Sequence, residues 1–121
     1  MLQQEAQDAA IKAMREIVVR LVRQNNMTLS MRQLAVFMVC YFCNGECTVL
    51  YISEALSVSQ TVVRRAMDTL DELGLTKRRV DPRDGDVVFV EQTLAGLAFL
   101  GDLHATVARS ARRESLMMLD S

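Results

Sequence analysis

The chain has 121 residues, half of them apolar, with 14 basic and 15 acidic side chains and a formal net charge of -1. That length and apolar share suit a single domain around one hydrophobic core. Charge so close to neutral excludes a uniformly basic coat, so any contact with phosphates must come from a local patch.

In chain order, residues 1–26 read first as a helix, because Ala6, Ala10, Ala13, Ile17 and Leu21 recur at helical spacing with Met14 and Val18 behind them. No continuous apolar stretch of signal-peptide type occurs there, so secretion is not expected. The longest apolar run, residues 34–43, is ten residues long, too short for a membrane span and right for a buried helix. Ser30 and Gln33 offer that helix a capping box, and Asn44-Gly45 ends it. A cytoplasmic protein with no membrane partner is expected.

Residues 48–56 give a short helix with Ile52, Ala55 and Leu56 at core spacing, and Ser57-Val58 is a tight link to the next one. In that next helix, residues 59–73, Val62, Ala66, Leu70 and Leu73 form an apolar stripe. Ser57 or Ser59 can cap it, Ser57 with Gln60 matching the Ser-x-x-Gln box, and Gly74 supplies the stop. Two helices linked this closely cross steeply, as in a helix-turn-helix.

The opposite face carries Ser57, Gln60, Thr61, Arg64 and Asp68, with Arg65 on its flank; Asp68, Asp71 and Glu72 sit late, and Ser59 at the start of the helix is a further candidate contact. A helix entering the major groove by its first turns needs hydrogen-bonding and cationic groups there. Arg pairs with guanine, Gln with adenine, and Thr offers a hydroxyl to phosphate or a methyl to thymine. Between positions 56 and 80 there are five Lys or Arg against three Asp or Glu, so the stretch is a local basic patch.

After Gly74, residues 76–80 and 87–91 read as strands around a turn at 81–86 that holds the chain's only proline and Gly85. A hairpin directly after a helix-turn-helix is a wing. Its cations Lys77, Arg78, Arg79 and Arg83 are candidates for phosphate contact, and an arginine on the loop can enter a minor groove. From residue 93 onward Leu94, Leu97, Ala98, Gly101, Ala105 and Ala108 mark a last helix, basic at Arg109, Arg112 and Arg113, with an apolar tail from Leu116 to Leu119. The two terminal helices are expected to pack across a two-fold axis, the alternative being that they fold back on their own lobe. Their small residues allow close approach, and His104 is read as a packing or interface residue.

Cys40, Cys43 and Cys47 are spaced Cys-x2-Cys-x3-Cys, with Cys40 and Cys43 on one helix face. The sole histidine is remote in sequence, so no metal site is expected, and buried thiols behave as small hydrophobes. Cys47, past the helix end, is expected to be the exposed one. No glycine-rich phosphate loop, His-Glu pair or nucleophile with a neighbouring histidine is present, and Ser53, Ser57 and Ser59 are accounted for as caps. Neither catalysis nor a cofactor is expected.

From about Met27 to Gly96 the chain resembles the MarR-type winged-helix transcription regulators. The resemblance runs through Leu29-Ser30-x-x-Gln33-x-x-Val36, Ile52-Ser53-x-x-Leu56-Ser57-Val58, Thr61-Val62-x-Arg64, Leu70-x-x-x-Gly74-Leu75, Arg79, Asp81-Pro82-x-Asp84 and Thr93-x-x-Gly96. It implies a homodimer on double-stranded DNA, with the helix at 59–73 in the major groove and the loop at 81–86 in the minor groove. It also implies a small phenolic or lipophilic effector between dimer helices and DNA-binding lobe, and in some members a redox-sensing cysteine, for which Cys47 is the candidate. One departure stands out: the family's wing carries Asp-x-Arg, whereas this chain has Asp84-Gly85-Asp86 with the arginine displaced to Arg83.

The expected molecule is therefore mainly α with a small β-hairpin wing, a winged helix-turn-helix in which residues 1–26 and 93–121 dimerise. Residues 27–92 form the DNA-binding lobe, with the wing at 76–91. A winged-helix module that binds protein instead of DNA is the other reading of the same fold, favoured by the near-neutral charge and by Asp86.

Overall fold

The computed structural model describes residues 2–24 and 28–120. The expected boundary between first helix and lobe, at 26–27, lies outside the described residues. The order of elements is α1 (Leu2–Arg23), α2 (Met31–Tyr41), β1 (Cys47–Thr48), α3 (Val49–Leu56), α4 (Gln60–Glu72), β2 (Thr76–Val80), β3 (Val88–Gln92) and α5 (Leu94–Asp120). They form two compact units, Leu29–Ala98 and a helical unit of α1 with α5 from Phe99 onward.

The unit from Leu29 to Ala98 is the winged helix-turn-helix. Its α2 begins as its sequence requires: Ser30 Oγ accepts from the Gln33 amide at 3.1 Å and Gln33 Oε1 accepts from the Ser30 amide at 2.9 Å. The helix buries Val36, Phe37, Cys40 and Tyr41, with the Phe37 and Tyr41 rings stacked 4.2 Å apart. Against it lie Ile52 of α3 and Val63, Met67 and Leu70 of α4, all fully buried. Each such side chain contributes about 1.5–3 kcal/mol by leaving water, which is what holds three short helices together.

The caps differ from expectation at the link. Thr48 caps α3 by accepting from the Tyr51 amide, and Ser59 caps α4 by accepting from the Val62 amide. Ser57 is not an N-cap and forms no box with Gln60: it closes the C-terminus of α3 in the left-handed conformation, φ 55°. The helices are joined by only three residues, Ser57 to Ser59, and Ser57 takes up the change of direction in that region. Ser53 is not a cap either; its hydroxyl donates to the Leu50 carbonyl at 2.7 Å from a buried position.

The apolar stripe of α4 is also turned by about one residue. Val63, Ala66, Met67 and Leu70 are buried, whereas Val62 and Leu73 are half-buried. Met67, left out of the expected stripe, joins the core, where its long unbranched side chain fills the space. In α3 the same shift exposes Ala55 and buries Val49, Ile52 and Ser53. At the end of α4, Gly74 sits at φ 76°, its amide bonding to the Asp71 carbonyl and the Leu75 amide to the Leu70 carbonyl. This is the Schellman arrangement that glycine permits, and it turns Leu75 back into the core.

The sheet has three strands in the order β1-β3-β2, all antiparallel. The hairpin was legible; β1, two residues long, was not, and it pairs Cys47 with Val90 and Thr48 with Phe89. Cys47 is therefore buried at 5% exposure, contrary to the expectation that it would be the open thiol. Gly96 explains itself by contact, since a Cβ there would run into the Tyr41 hydroxyl and the Leu75 carbonyl. That hydroxyl donates to the Leu75 carbonyl at 2.6 Å and accepts from the Thr93 amide at 3.1 Å. Thr93 Oγ1 in turn donates to the Gly74 carbonyl at 2.6 Å and accepts from the Gly96 amide. Helix stop, wing end and start of α5 are thus tied at one point.

In the helical unit, Lys12 pairs with Glu114 at 3.1 Å, Glu16 with Arg113 at 3.5 Å and Arg20 with Asp102 at 3.7 Å. As α1 advances the partner on α5 recedes, so the helices run antiparallel. No residue of α1 is buried: Ile11, Met14, Val18 and Val22 are exposed. In α5 the buried positions are Phe99, Leu103, Thr106 and Ser110, while the expected stripe of Leu94, Leu97, Ala98, Gly101, Ala105 and Ala108 faces out, as does His104. The side chain of Met118, part of the expected apolar tail, lies outside what is described; Leu116, Met117 and Leu119 are exposed. No helix among the described residues is long and apolar enough to cross a membrane.

Candidate nucleic-acid interface

With Val63, Ala66, Met67 and Leu70 turned inward, the outer face of α4 presents Thr61, Arg64, Arg65 and Asp68, with Gln60 half-buried at its first turn and Ser59 exposed at its cap. The carboxylates further along are not loose on that face. Arg78 of β2 donates through Nε to Asp71 at 2.6 Å and through Nη2 to Asp68 at 2.7 Å. Asp71 also accepts from Thr76 Oγ1 at 2.6 Å. Burial acts to lower the Arg78 pKa, but hydrogen bonds and charge from Asp68 and Asp71 outweigh it and raise it. The charge-assisted fork joins α4 to the wing and offsets one of the two negative charges nearest the cationic turns.

The cations named from the sequence therefore divide in two. Arg78 is held by two carboxylates, and Arg79 lies over the Phe89 ring, 4.4 Å from its centroid, with its Nε 3.6 Å from Glu91. Arg64, Arg65, Lys77 and Arg83 are exposed and make no ion pair among the described residues. These cations are not alone, since Glu72, Asp81, Asp84 and Asp86 make no ion pair among the described residues either; the positive charge is local to Arg64 and Arg65 in the first turns of α4 and to Lys77 on β2, which a net charge of -1 conceals.

The wing loop is locally built rather than slack. The Asp81 carboxylate accepts from the Arg83 amide at 2.9 Å and the Asp84 carboxylate from the Asp86 amide at 3.0 Å. Asp81 and Val87 close the loop by backbone bonding at 2.9 Å. These two Asx turns fix the backbone and leave the Arg83 side chain exposed near the tip.

A residue the sequence reading passed over is Arg32. It lies exposed in the first turn of α2 and shares with Arg65, Val62 and Val58 a groove of about 630 Å³ beside α4. The signal for it is slight: one arginine two residues after a capping serine, with its proximity to α4 set by the crossing of the helices and by the Gln33 to Thr69 hydrogen bond at 3.3 Å.

The cysteines converge although they are far apart in geometry of origin, α2, the turn after it and β1. Cys40 Sγ donates to the Val90 carbonyl and Cys43 Sγ to the Glu46 carbonyl, each at 3.9 Å. A hydrogen bond from Cys47 holds the Cys40 thiol below its ordinary range, while the same bond, with burial, pushes Cys47 well above it. Burial raises Cys43 as well. All three are free thiols, and a raised, buried Cys47 is poor in the thiolate that oxidation requires. Among the described residues no group of His, Cys, Asp or Glu is arranged to hold a metal ion.

No family model matches the chain, and no curated protein matches its sequence. Its fold does match solved structures. The transcriptional regulator Tm0710 from Thermotoga maritima superposes with a TM-score of 0.71 at 17% identity over 98% of this chain and 84% of its own. A variant of MepR from S. aureus, bound to an oligodeoxyribonucleotide, gives 0.63 at 16% over 99% and 80%. BpsR of Bordetella bronchiseptica, whose DNA binding is regulated by 6-hydroxynicotinic acid, gives 0.58 at 18% over 93% and 78%. The motif resemblance to MarR-type regulators and the likeness in three dimensions agree on one architecture: this chain has the winged helix-turn-helix fold of these transcriptional regulators.

Proposed function

We propose that the protein is a sequence-specific DNA-binding transcription regulator that acts as a homodimer on a pseudo-palindromic site. The observation that carries this reading is the outer face of α4, where Thr61, Arg64 and Arg65 are exposed and in no ion pair while Asp68 and Asp71 are tied to Arg78. In this reading Gln60, Thr61 and Arg64 meet base edges in the major groove. Ser59, Arg65, Lys77 and Arg83 meet phosphate or, for Arg83, the minor groove. Arg32 joins the phosphate contacts. Arg79 contributes by its free edge, and Arg78 acts as the brace that sets the wing against the helix.

The homodimer is supported by the apolar residues left uncovered on the terminal helices, Ile11, Met14, Val18 and Val22 on α1 and Leu94, Leu97 and Val107 on α5. A two-fold pair presents two α4 helices to successive major grooves about 34–36 Å apart, which is why the site should be an inverted repeat. The DNA-bound MepR variant and ligand-regulated BpsR support DNA and a small-molecule effector as partners.

Two variants test the interface. Arg64→Ala is expected to weaken specific binding by about 1–3 kcal/mol and relax preference at one base position, because a bidentate pairing is lost. Lys77→Ala is expected to weaken all duplexes alike and to lower the slope of log affinity against log salt by about 1. Unchanged affinity of Arg64→Ala in a mobility-shift titration sinks the assignment of α4. Absence of any salt-sensitive retention on heparin would favour a protein-binding winged helix.

A further inference from the structure

The helical unit holds a concave site of about 400 Å³. Arg20 and Arg23 of α1 and Arg109 and Arg113 of α5 line it, with the hydroxyl residues Thr106 and Ser110 buried at its base. Glu16 is the acidic side chain in the lining, already shared between Arg113 at 3.5 Å and Arg15 at 3.6 Å. Asp102 reaches Arg20 at 3.7 Å. Four guanidiniums thus face two carboxylates, in a chain whose net charge is -1.

Four guanidiniums against two carboxylates leave a local excess of positive charge that an anion bound among them would offset. The Arg20 guanidinium is committed only in part, with Nη2 3.7 Å from Asp102, while its Nε is buried within the fold and does not open on the site. Arg109 is already oriented, its Nη2 donating to Thr106 Oγ1 at 3.2 Å. Fork-shaped guanidiniums set by hydroxyls match the planar oxygens of carboxylate and phosphate.

We infer that this site binds a small polar oxyanion, a metabolite bearing two or more carboxylates or a phosphate, held by Arg20, Arg23, Arg109 and Arg113. The wall offers one aliphatic side chain, Val19, which does not suit the lipophilic phenol expected from family resemblance. The site is not the apolar face that the proposed dimer covers. On α1, residues 16, 20 and 23 lie opposite Ile11, Met14, Val18 and Val22 at 3.6 residues per turn, and on α5 residues 106, 109 and 113 lie on a different face from 97, 101, 105 and 108. What the anion would control rests on the regulator reading; whether it binds does not, and the test therefore contains no DNA.

The experiment is calorimetric titration of the full chain with citrate, with pyrophosphate and with phenol, at fixed ionic strength. Saturable binding of citrate or pyrophosphate at one site per chain, with none for phenol, is expected. Citrate alone would assign the site to carboxylates and pyrophosphate alone to phosphates. Arg20→Gln and Arg109→Gln should each weaken the anion about tenfold or more, and the double variant should abolish it. If loss of the Arg20 ion pair or the Arg109 hydrogen bond unfolds its variant by circular dichroism, Arg23→Gln, which breaks no ion pair among the described residues, supplies the same test. No saturable heat from either anion, or equal binding by wild type and folded variants, overturns the inference. So does a double variant that turns monomeric in sedimentation while no anion binds, for then the arginines serve the carboxylates of a second copy.

Discussion

Arg78 shows how one side chain can decide what its neighbours do. By sequence it is one of three consecutive cations and indistinguishable from Lys77 and Arg79; in the fold it is the partner of Asp68 and Asp71, at 2.7 and 2.6 Å. Its removal frees two carboxylates on the face that must approach phosphates. Arg78→Ala is therefore expected to cost about 1 kcal/mol of stability, modest because Asp68 is largely exposed, as read from chemical denaturation. The same variant should weaken DNA binding more than Lys77→Ala does, although Arg78 has no free guanidinium to offer. Equal or stronger binding by Arg78→Ala would remove the brace from the account.

At the scale of elements, most of the lobe was legible because each helix carries its own start and stop. The box at Ser30 and Gln33, the cap at Ser59 and the left-handed Gly74 are local chemistry, and local chemistry is written in neighbouring residues. What was not legible depended on distant partners. β1 is two residues whose only reason to be a strand is β3, forty residues on. The face of α4 turned because Val63 and Met67, not Val62 and Leu73, find space against α2 and α3. The candidate site followed the same rule: the outward Gln60, Thr61, Arg64 and Arg65 were read from the helix itself, whereas the capture of Arg78 and Arg79 needed the hairpin in place. The junction at Gly96 gives this scale its test. Gly96→Ala drives a methyl into the Tyr41 hydroxyl and the Leu75 carbonyl, and is expected to lower stability by about 3 kcal/mol or to prevent folding. A thermal midpoint within error of wild type would mean that α5 can move away from Tyr41 freely.

For the whole molecule, the question is what covers the terminal helices. Val18 is 49% exposed and Ile11 61%, in a row with Met14 and Val22, more apolar surface in one line than a solvated helix keeps. Val18→Asp is expected to shift sedimentation from dimer to monomer and, with it, to reduce specific DNA affinity, since each half-site alone supplies only half of the contacts. A variant that stays dimeric would place the interface elsewhere. The near-neutral total charge is no obstacle to this design, because Arg64 and Arg65 lie early on α4 outside any ion pair, whereas Asp68 and Asp71, further along, are tied to Arg78.

Selection of bound duplexes from a random pool by the full-length protein tests the central claim most directly. The account predicts an enriched inverted repeat with half-sites about one helical turn apart, and loss of preference at one symmetric pair of positions when Arg64→Ala replaces the wild type. No enrichment over the starting pool, or an identical consensus from Arg64→Ala, would contradict it.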